Sequence, residues 1–352
     1  MAINLATKYS DKIALAFTRA SYIKGKVSNA YTFTGVKTLK VYTPVTVEEV
    51  DYKRNGLNRY GDPTEMQDIV QEMTMTQDKA FTMTIDKGNN KDQMGIKEAG
   101  RMIQQQLREK STPAADRYAF KKFAMYAGSV MTVSNKPTKS NVVSTIFDMG
   151  QAMDDALIPE DNRYLYMMSE MYKLVCTSDE FIAIDKLGEK SISRGVCGEI
   201  DGFSVVKVAK GYLPNNCFML AAHKDSVLMP YKIKDTKIHE DPPGISGNLL
   251  EGRHYYDAFV LGAKCGGVVA LVLESEKQAA PTVSISSHKV TPTSSGAEKI
   301  MYTLDGSDPR YSDSAQVVTG EITTESGQTI RAVAFGANGK FTSDVAHATD
   351  SD

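Results

Sequence analysis

The chain has 352 residues, with 41 basic and 43 acidic side chains and a formal net charge of −2 at pH 7. Hydrophobic residues make up 41% and charged residues 24%, which is ordinary globular usage and argues against a disordered or fibrous chain. The near-zero charge argues against binding nucleic acid through bulk positive charge, and no apolar run approaches the roughly 18–20 residues of a membrane helix.

The N-terminus and the cysteines bear on the compartment. The first eleven residues mix charged and polar side chains and lack the unbroken apolar region of a secretory signal, so we expect a soluble chain made in a cytoplasm. The cysteines are too far apart for a Cys-x-x-Cys pair and are expected to be reduced, mostly buried thiols. They are Cys176, Cys197, Cys217 and Cys265.

After a polar N-terminal arm, the first predicted elements form a long hairpin. Residues from Thr38 to Val47 and from Met73 to Ile85 alternate apolar and polar side chains with period two, which predicts two half-buried strands. The polar excursion from Asp51 to Pro63 lies between them. Because two strands bury too little apolar surface to be stable alone in water, the hairpin should pack on this chain or on a neighbour.

Two helical regions follow. Apolar and small residues recur at helical spacing at Ile96, Ala99, Gly100, Ile103 and Leu107. The pattern resumes after Pro113, which should kink or restart the helix because proline has no amide donor, and it ends at Gly128. A second amphipathic helix is predicted from Asn141 to Ala156, with Asn141 or Ser140 as its cap.

The next region mixes helices and strands. Strands are predicted at Tyr164–Met168, Phe203–Val208, Phe218–Ala222 and Val268–Leu273, and helices at Glu170–Cys176 and Asp179–Ile184. Because the elements do not alternate regularly as βαβ units, the predicted fold class is α+β.

A shift in composition after Leu273 indicates a second domain. Residues 279–352 have five basic and nine acidic side chains, a net charge of −4, whereas the preceding residues sum to +2. Short runs separated by Gly, Ser, Asp and Asn clusters are found at Thr282–Ile285, Ile300–Leu304, Gln316–Val318 and Thr329–Phe335. This pattern is typical of a small antiparallel β-sandwich.

The search for catalytic motifs is negative: there is no Walker loop, no helix-opening Gly-x-Gly-x-x-Gly, no Gly-x-Ser-x-Gly and no His-Glu-x-x-His. We therefore expect no enzyme, no catalytic residue, no cofactor and no metal site. His223 could be a base oriented by Asp225, but an ordinary hydrogen bond at a strand end is favoured. His239 and His254 have acidic neighbours, yet their irregular spacing favours a solvated or interface loop over a metal cluster.

Two charged clusters each allow two interpretations. Asp305, Asp308 and Asp313 could hold calcium, but the ligand spacing and the distal Glu are missing, so a turn with Gly306 in a left-handed conformation is favoured. On the hairpin excursion, basic and aromatic residues could form a nucleic-acid patch, but Arg and Tyr are also enriched at protein interfaces, which is the favoured interpretation. These residues are Tyr52, Lys53, Arg54, Arg59 and Tyr60.

Eight sequence stretches, in their order along the chain, carry a resemblance to a known family. They are GVKTLKVY (35–42), NRYGDP (58–63), QEMTMTQD (71–78), FTMTIDKG (81–88), IDGFSVV (200–206), AAHK (221–224), DPPGISG (241–247) and EGRHYYDAFV (251–260). Together they resemble the major capsid (coat) proteins of tailed bacteriophages, over roughly residues 1–275.

This resemblance implies the Hong Kong 97-like phage capsid fold. Its segments would be an N-terminal arm (1–35), an extended loop (36–87), a peripheral domain with a spine helix (88–138), an axial domain (139–241), a return to the peripheral domain (242–278) and the C-terminal Ig-like sandwich (279–352). In this fold the extended loop lies over the adjacent subunit, so the five basic and aromatic loop residues are expected at an assembly interface. The family prototype has a scaffolding extension before the arm, whereas this sequence begins at the arm, so a separate scaffolding protein is expected.

The tail carries a second resemblance. The stretch IMYTLDGSDP (300–309), followed by IRAVA (330–334), is similar to the small β-sandwich at the C-terminus of chitobiase and related glycosidases. The glycosidase active site lies elsewhere, so no hydrolytic role is implied. On a capsid this domain is expected to project outward as a decoration, with a surface or glycan contact at Tyr302, Asp305, Asp308 and Arg310.

The implied function is a structural coat protein that assembles into hexamers and pentamers of an icosahedral head enclosing double-stranded DNA. Expected partners are other copies of the chain, a separate scaffolding protein, a portal, packaged DNA without sequence-specific binding, and surface carbohydrate, with no membrane. The expected location is the virion, assembled in the bacterial host cytoplasm. Two alternatives remain open: an encapsulin-like compartment shell, and a carbohydrate-binding β-sandwich on an unrelated scaffold.

Overall fold

The computed structural model describes residues 21–33, 36–46, 49–55, 57–61, 63, 65, 66, 68–92, 97–178 and 198–351. Residues 1–20 of the predicted arm, the helix predicted at Asp179–Ile184, Ile96 and Cys197 lie outside these residues. Within them, no helix combines the length and the apolar character needed to cross a membrane.

The described residues form an α+β arrangement. The strands are β1 Thr38–Pro44, β2 Asp68–Thr74, β3 Gln77–Asp86, β4 Ser129–Val133, β5 Arg163–Met168, β6 Glu199–Ile200, β7 Phe203–Val208, β8 Cys217–His223, β9 Val227–Leu228, β10 Tyr231–Glu240, β11 Gly247–Tyr256, β12 Phe259–Val260, β13 Val268–Leu273, β14 Ile285–Ser286, β15 Lys289–Val290, β16 Ala297–Thr303, β17 Gln316–Val317, β18 Ile322–Thr323, β19 Thr329–Gly336 and β20 Ala346–Thr349. The helices are α1 Lys87–Asp92, α2 Ala99–Gln106, α3 Thr112–Met125, α4 Val142–Asp155 and α5 Ser169–Cys176, and a π-helical turn at Leu107–Ser111 joins α2 to α3.

The predicted hairpin is present, but its second strand begins earlier than the alternation indicates. Strands β1 and β2 pair antiparallel along their whole length. The prediction of one strand from Met73 to Ile85 is wrong, because β2 ends at Thr74 and β3 pairs with β11 in a different sheet. The break lies at Thr76, whose backbone N–H and hydroxyl both donate to the buried carboxylate of Asp257, at 2.7 and 2.8 Å.

The predicted long helix runs through residues 99–125 as α2, the π-helical turn and α3, and is called the long helix below. The π-helical turn ends just before Pro113, which lies in the first turn of α3. Because proline has no N–H to donate to the preceding turn, the helical hydrogen bonding is rearranged there. Ala119, Phe120 and Phe123 are buried and pack α3 on the core.

A mixed six-stranded sheet has the order β4-β13-β8-β5-β7-β6. Every residue of β8 is buried, because both faces of the sheet are covered. One face packs on α4 through side chains such as Ile146 and Met149, and the other packs on α3, where the rings of Phe120 and Tyr166 lie 5.0 Å apart. The strands predicted here and the helix predicted from Asn141 are present in the described part of the chain.

A separate three-stranded antiparallel sheet, called the peripheral sheet, has the order β10-β11-β3. Its helix side packs on α2 through Leu250, Ile85 and Ile103. Gly252 of β11 lies opposite Phe81 of β3, and a Cβ at Gly252 would come within 2.2 Å of the Phe81 ring. The absence of a side chain therefore lets that ring lie across the strand.

The C-terminal module, residues 279–352, contains two small antiparallel sheets in the orders β14-β15-β18 and β17-β16-β19-β20. Val290, Ile322 and Ile330 form the core between them. The predicted strands are found, although the first is shortened to Ile285–Ser286.

Candidate assembly surfaces

The structure brings the five predicted interface residues together in the loop that joins β1 to β2. The Lys53 N–H donates to the Arg59 carbonyl at 3.0 Å, and the rings of Tyr52 and Tyr60 meet edge to face with centroids 5.0 Å apart. Arg54 is exposed in the bend between them. Three cations and two aromatic rings therefore form one patch, called the loop patch below.

The same loop exposes apolar side chains that the sequence reasoning did not single out. Leu57 is 94% exposed, and Val50 and Met66 are exposed as well; Tyr60, one of the five predicted residues, is 87% exposed beside them. Single exposed apolar residues are common, whereas Leu57, Val50 and Met66 are concentrated on one hairpin. For Leu57, the signal available in the sequence was its position in an otherwise polar excursion.

Asp308 and Arg310 do not lie on an open surface but in the junction between the module and the rest of the chain. The Arg310 guanidinium donates to the carbonyls of Ala127 and Gly128 at 2.7 and 3.1 Å and pairs with the Asp308 carboxylate at 2.6 Å. Its side chain is only 6% exposed. The expectation of a surface contact at Arg310 is therefore wrong, because its charge is neutralised and buried within the chain.

Two further module residues, missed by the sequence reasoning, complete this junction. The Tyr311 hydroxyl donates to the Tyr126 carbonyl at 2.6 Å, and the Thr342 hydroxyl donates to the Met125 carbonyl. Burial raises the pKa of Tyr311 well above its usual value, so the phenol keeps its proton. Together with Arg310, these side chains bind four consecutive carbonyls at the end of the long helix, a region where a helix leaves acceptors without partners.

Tyr302 and Asp305 lie in and beside an internally bonded turn. The Tyr302 hydroxyl donates to Gln316, and the Asp305 carboxylate accepts from Ser307 and Ser314. Although partial burial alone would raise it, these hydrogen bonds hold the pKa of Asp305 below its usual value. Gly306 has a φ of +75°, so the turn favoured over a calcium loop is the conformation observed.

The histidines lie in separate surroundings. Nδ1 of His223 accepts from the backbone N–H of Asp225 at 3.2 Å, which is the ordinary strand-end hydrogen bond favoured from the sequence. His239 is exposed and lies 3.0 Å from Glu251, whereas His254 is buried on the helix side of the peripheral sheet. The two are not brought together.

A groove of about 580 Å³ separates the peripheral sheet from the π-helical turn. Aromatic and cationic side chains line it, including Phe81, Tyr118, Tyr231, Lys79, Arg108, Lys110 and Lys234. His254 also lines it, and its Nε2 has no hydrogen-bond partner among the residues that the structure describes. The groove is therefore a positively charged, aromatic space within the fold.

Comparison with known proteins identifies one similarity in sequence and one in structure. Residues 274–346 match the family of the chitobiase/β-hexosaminidase C-terminal domain. A comparison with curated protein sequences gives no significant match.

The fold of the chain is similar to that of chains from phage structures. A chain from Mycobacterium phage Che8 has a TM-score of 0.64 and 15% identity, with 77% of this chain and 98% of that chain covered. The capsid structure of the Cyanophage P-SCSP1u has a TM-score of 0.62 and 14% identity, covering 77% of this chain and 93% of that chain. The mature capsid of bacteriophage PhiM1 has a TM-score of 0.61 and 12% identity, with 77% of this chain and 92% of that chain covered. The chain therefore has the Hong Kong 97-like phage capsid fold that its sequence implied, with a chitobiase-type C-terminal domain appended.

Proposed function

We propose that this chain is a major capsid protein that self-assembles into the hexamers and pentamers of an icosahedral phage head enclosing double-stranded DNA. The observation that carries the proposal is the fold comparison, in which the chain covers nearly the whole length of chains from phage structures, two of them capsids. In this role the protein is structural rather than enzymatic and uses no cofactor.

The loop patch and the apolar residues beside it are the proposed contact with the next copy. Leu57 and Tyr60 are almost fully exposed in a single chain, and their burial against a neighbour would remove this apolar surface from water. Arg and Tyr are also the residue types that concentrate binding energy at interfaces. The extended loop, residues 36–87, would then lie over the adjacent subunit.

The other proposed partners follow from the same role. A net charge of −2 suits a shell that contains DNA without gripping it tightly or reading its sequence. A separate scaffolding protein and a portal would act with the chain in the host cytoplasm, and the finished product would be the virion. A carbohydrate contact on the module would rest on Tyr302 and Asp305, since Asp308 and Arg310 are engaged in the junction.

Imaging of the expressed chain tests this proposal. The full-length protein, expressed with and without a candidate scaffolding protein, should form closed shells visible by electron microscopy. A protein that stays monomeric under both conditions would contradict the proposal.

Adding negative charge to the apolar part of the loop should stop assembly. We expect Leu57→Asp combined with Tyr60→Asp to reduce the yield of particles at least about tenfold, because two carboxylates would replace apolar side chains and lose their hydration at the interface. The measurement is particle yield by sedimentation and microscopy, with circular dichroism to confirm folding.

Leu157→Asp is the matched control. Leu157 is 90% exposed, like Leu57, and its φ of +55° is one that Asp tolerates. Particles should still form with this variant. Normal assembly of the double loop variant would place the subunit contact elsewhere.

A further inference from the structure

We infer that the C-terminal module is an internal brace that fixes the direction of the hairpin relative to the long helix. The expectation from the sequence was a decoration that projects from the shell. One short segment of the module, residues 308–313, instead contacts both the hairpin and the end of the long helix. This role is additional to the proposed capsid function.

The first set of contacts reaches the hairpin. The Asp313 N–H donates to the Val70 carbonyl of β2 at 2.9 Å, and Ser312 forms an antiparallel bridge with Gln71. The Asp313 carboxylate also pairs with the Lys40 ammonium of β1 at 2.9 Å. The module therefore contacts both strands and covers the edge of β2 that β1 leaves open. An uncovered edge would otherwise present unpaired backbone groups.

The second set of contacts reaches the long helix. Arg310 and Tyr311 donate to three consecutive carbonyls beyond the last turn of α3, those of Tyr126, Ala127 and Gly128. Acceptors at a helix C-terminus carry partial negative charge, so a buried guanidinium is well placed there. Tyr311 also belongs to the hydrophobic core that includes Phe120 and Phe123.

The segment between the two sets of contacts is held in shape by its own bonds. The Asp308 carbonyl accepts from the N–H groups of Tyr311 and Ser312, both at 3.1 Å, and the Asp308 carboxylate holds Arg310. Because this segment is rigid, a displacement of the helix end would also displace Ser312 and Asp313, and with them the hairpin.

The hairpin is also attached to the rest of the fold in other ways. Met73 of β2 is buried in a hydrophobic core with Phe33, Leu228 and Leu261. The Gln71 side chain donates to the Val260 carbonyl at 2.8 Å and accepts from the Gly262 N–H at 2.8 Å. The module adds backbone contacts on the open edge of β2 and an ion pair to β1, which limit how the two strands can swing about these attachments.

Hydrogen–deuterium exchange of the full-length chain tests the brace. Arg310→Ala should make the amides of residues 38–44 and 68–74 exchange about tenfold faster, because a lost charge-assisted bond lowers the cost of local opening by that order. The amides of β5 and β8 should exchange as in the wild type. Each variant is compared with the wild type in the same assembly state.

Asp313→Ala is a second, milder variant that keeps the junction with the helix intact. It removes only the exposed pair with Lys40, so an acceleration of about twofold to fivefold is expected in the same hairpin amides. Lys289→Ala is the control, since its pair with Glu321 lies on the other sheet of the module. It should leave the hairpin unchanged.

The outcomes separate the brace from a decoration. Faster exchange confined to the module, with hairpin exchange unchanged in both Arg310→Ala and Asp313→Ala, would overturn the inference. If Arg310→Ala does not fold, Asp313→Ala alone decides in the same way. Because exchange is read within one chain, the result does not depend on whether that chain builds a phage head.

Discussion

His254 lies between two lysines on the helix side of the peripheral sheet, with Lys79 opposite it on β3 and Lys234 opposite it on β10. It is 7% exposed, and Arg108 and Lys110 line the same groove. A positive charge on this imidazole would be both desolvated and repelled. Burial, followed by the charge of Lys234, accordingly lowers the pKa of His254.

Acidification should therefore destabilise the chain partly through this residue. Histidine in an unfolded chain has a pKa of about 6.5, whereas the pKa of His254 in the folded chain is lower. At pH values between these two pKa values, the unfolded chain binds more protons than the folded chain. The free energy of unfolding then falls as the pH falls through this window. His254→Gln should show a smaller loss of stability than the wild type between about pH 7.5 and pH 5.5 in denaturant titrations.

The control for this experiment is His347→Gln, an exposed histidine on β20, which should retain the wild-type slope. Some slope should remain in His254→Gln, because burial also lowers the pKa of His223. A His254→Gln curve parallel to that of the wild type would show that protonation of this imidazole costs no stability.

The burial of Arg310 could not be predicted from its neighbours in the sequence. A lone Arg beside Asp and Pro in a turn is usually solvated, and nothing near it in sequence indicates burial. Its acceptors, Ala127 and Gly128, lie more than 180 positions earlier in the chain. The loop patch could be predicted because its residues are neighbours in sequence, whereas the junction depends on tertiary contacts.

At the scale of elements, the chain just beyond the long helix is packed more tightly than the first turn of that helix. A Cβ at Gly128 would lie 2.1 Å from the backbone carbonyl oxygen of Cys265, whereas a Cβ at Gly100 in α2 meets nothing within 4 Å. Neither glycine has a positive φ, so the difference is one of space.

This pair of glycines gives a matched test of packing. Gly128→Ala should lower the free energy of unfolding by about 1–3 kcal/mol, because the helix end and the turn containing Cys265 must move apart. Gly100→Ala should be neutral or stabilising by up to about 1 kcal/mol, since alanine favours helix. Thermal unfolding of both variants measures the contrast, and equal shifts would contradict the close approach.

The sequence predicted those elements whose burial gives a regular pattern. Strands β5, β7, β8 and β13 of the six-stranded sheet and helix α4 carry such patterns, and they were predicted within a few residues, whereas the short strands β4 and β6 were not predicted. Strand β10 was missed because it is exposed along most of its length and reads as charged sequence. The break after Thr74 was missed because it depends on Asp257, which only the folded chain brings to Thr76.

At the scale of the whole molecule, the two parts of the chain differ in charge and are firmly connected. The module carries −4 and the preceding residues +2. Because the module is anchored at the end of the long helix, every copy in a symmetric shell would present it on the same side. An outward position would place the acidic part away from packaged DNA and keep finished particles apart by repulsion.

Chemical labelling of intact particles tests this outward position. Lys289 has a side chain that is 56% exposed in the module, so Lys289→Cys should react with a polymer-linked maleimide too large to enter a closed shell. The wild type provides the background, which should be low at Cys217, because burial raises the pKa of that thiol to about 12 and thiolate is the reactive form. Labelling of Lys289→Cys only after the particles are disrupted would place the module inside. In that case its negative charge would face the DNA, and its repulsion would oppose packaging instead of keeping finished particles apart.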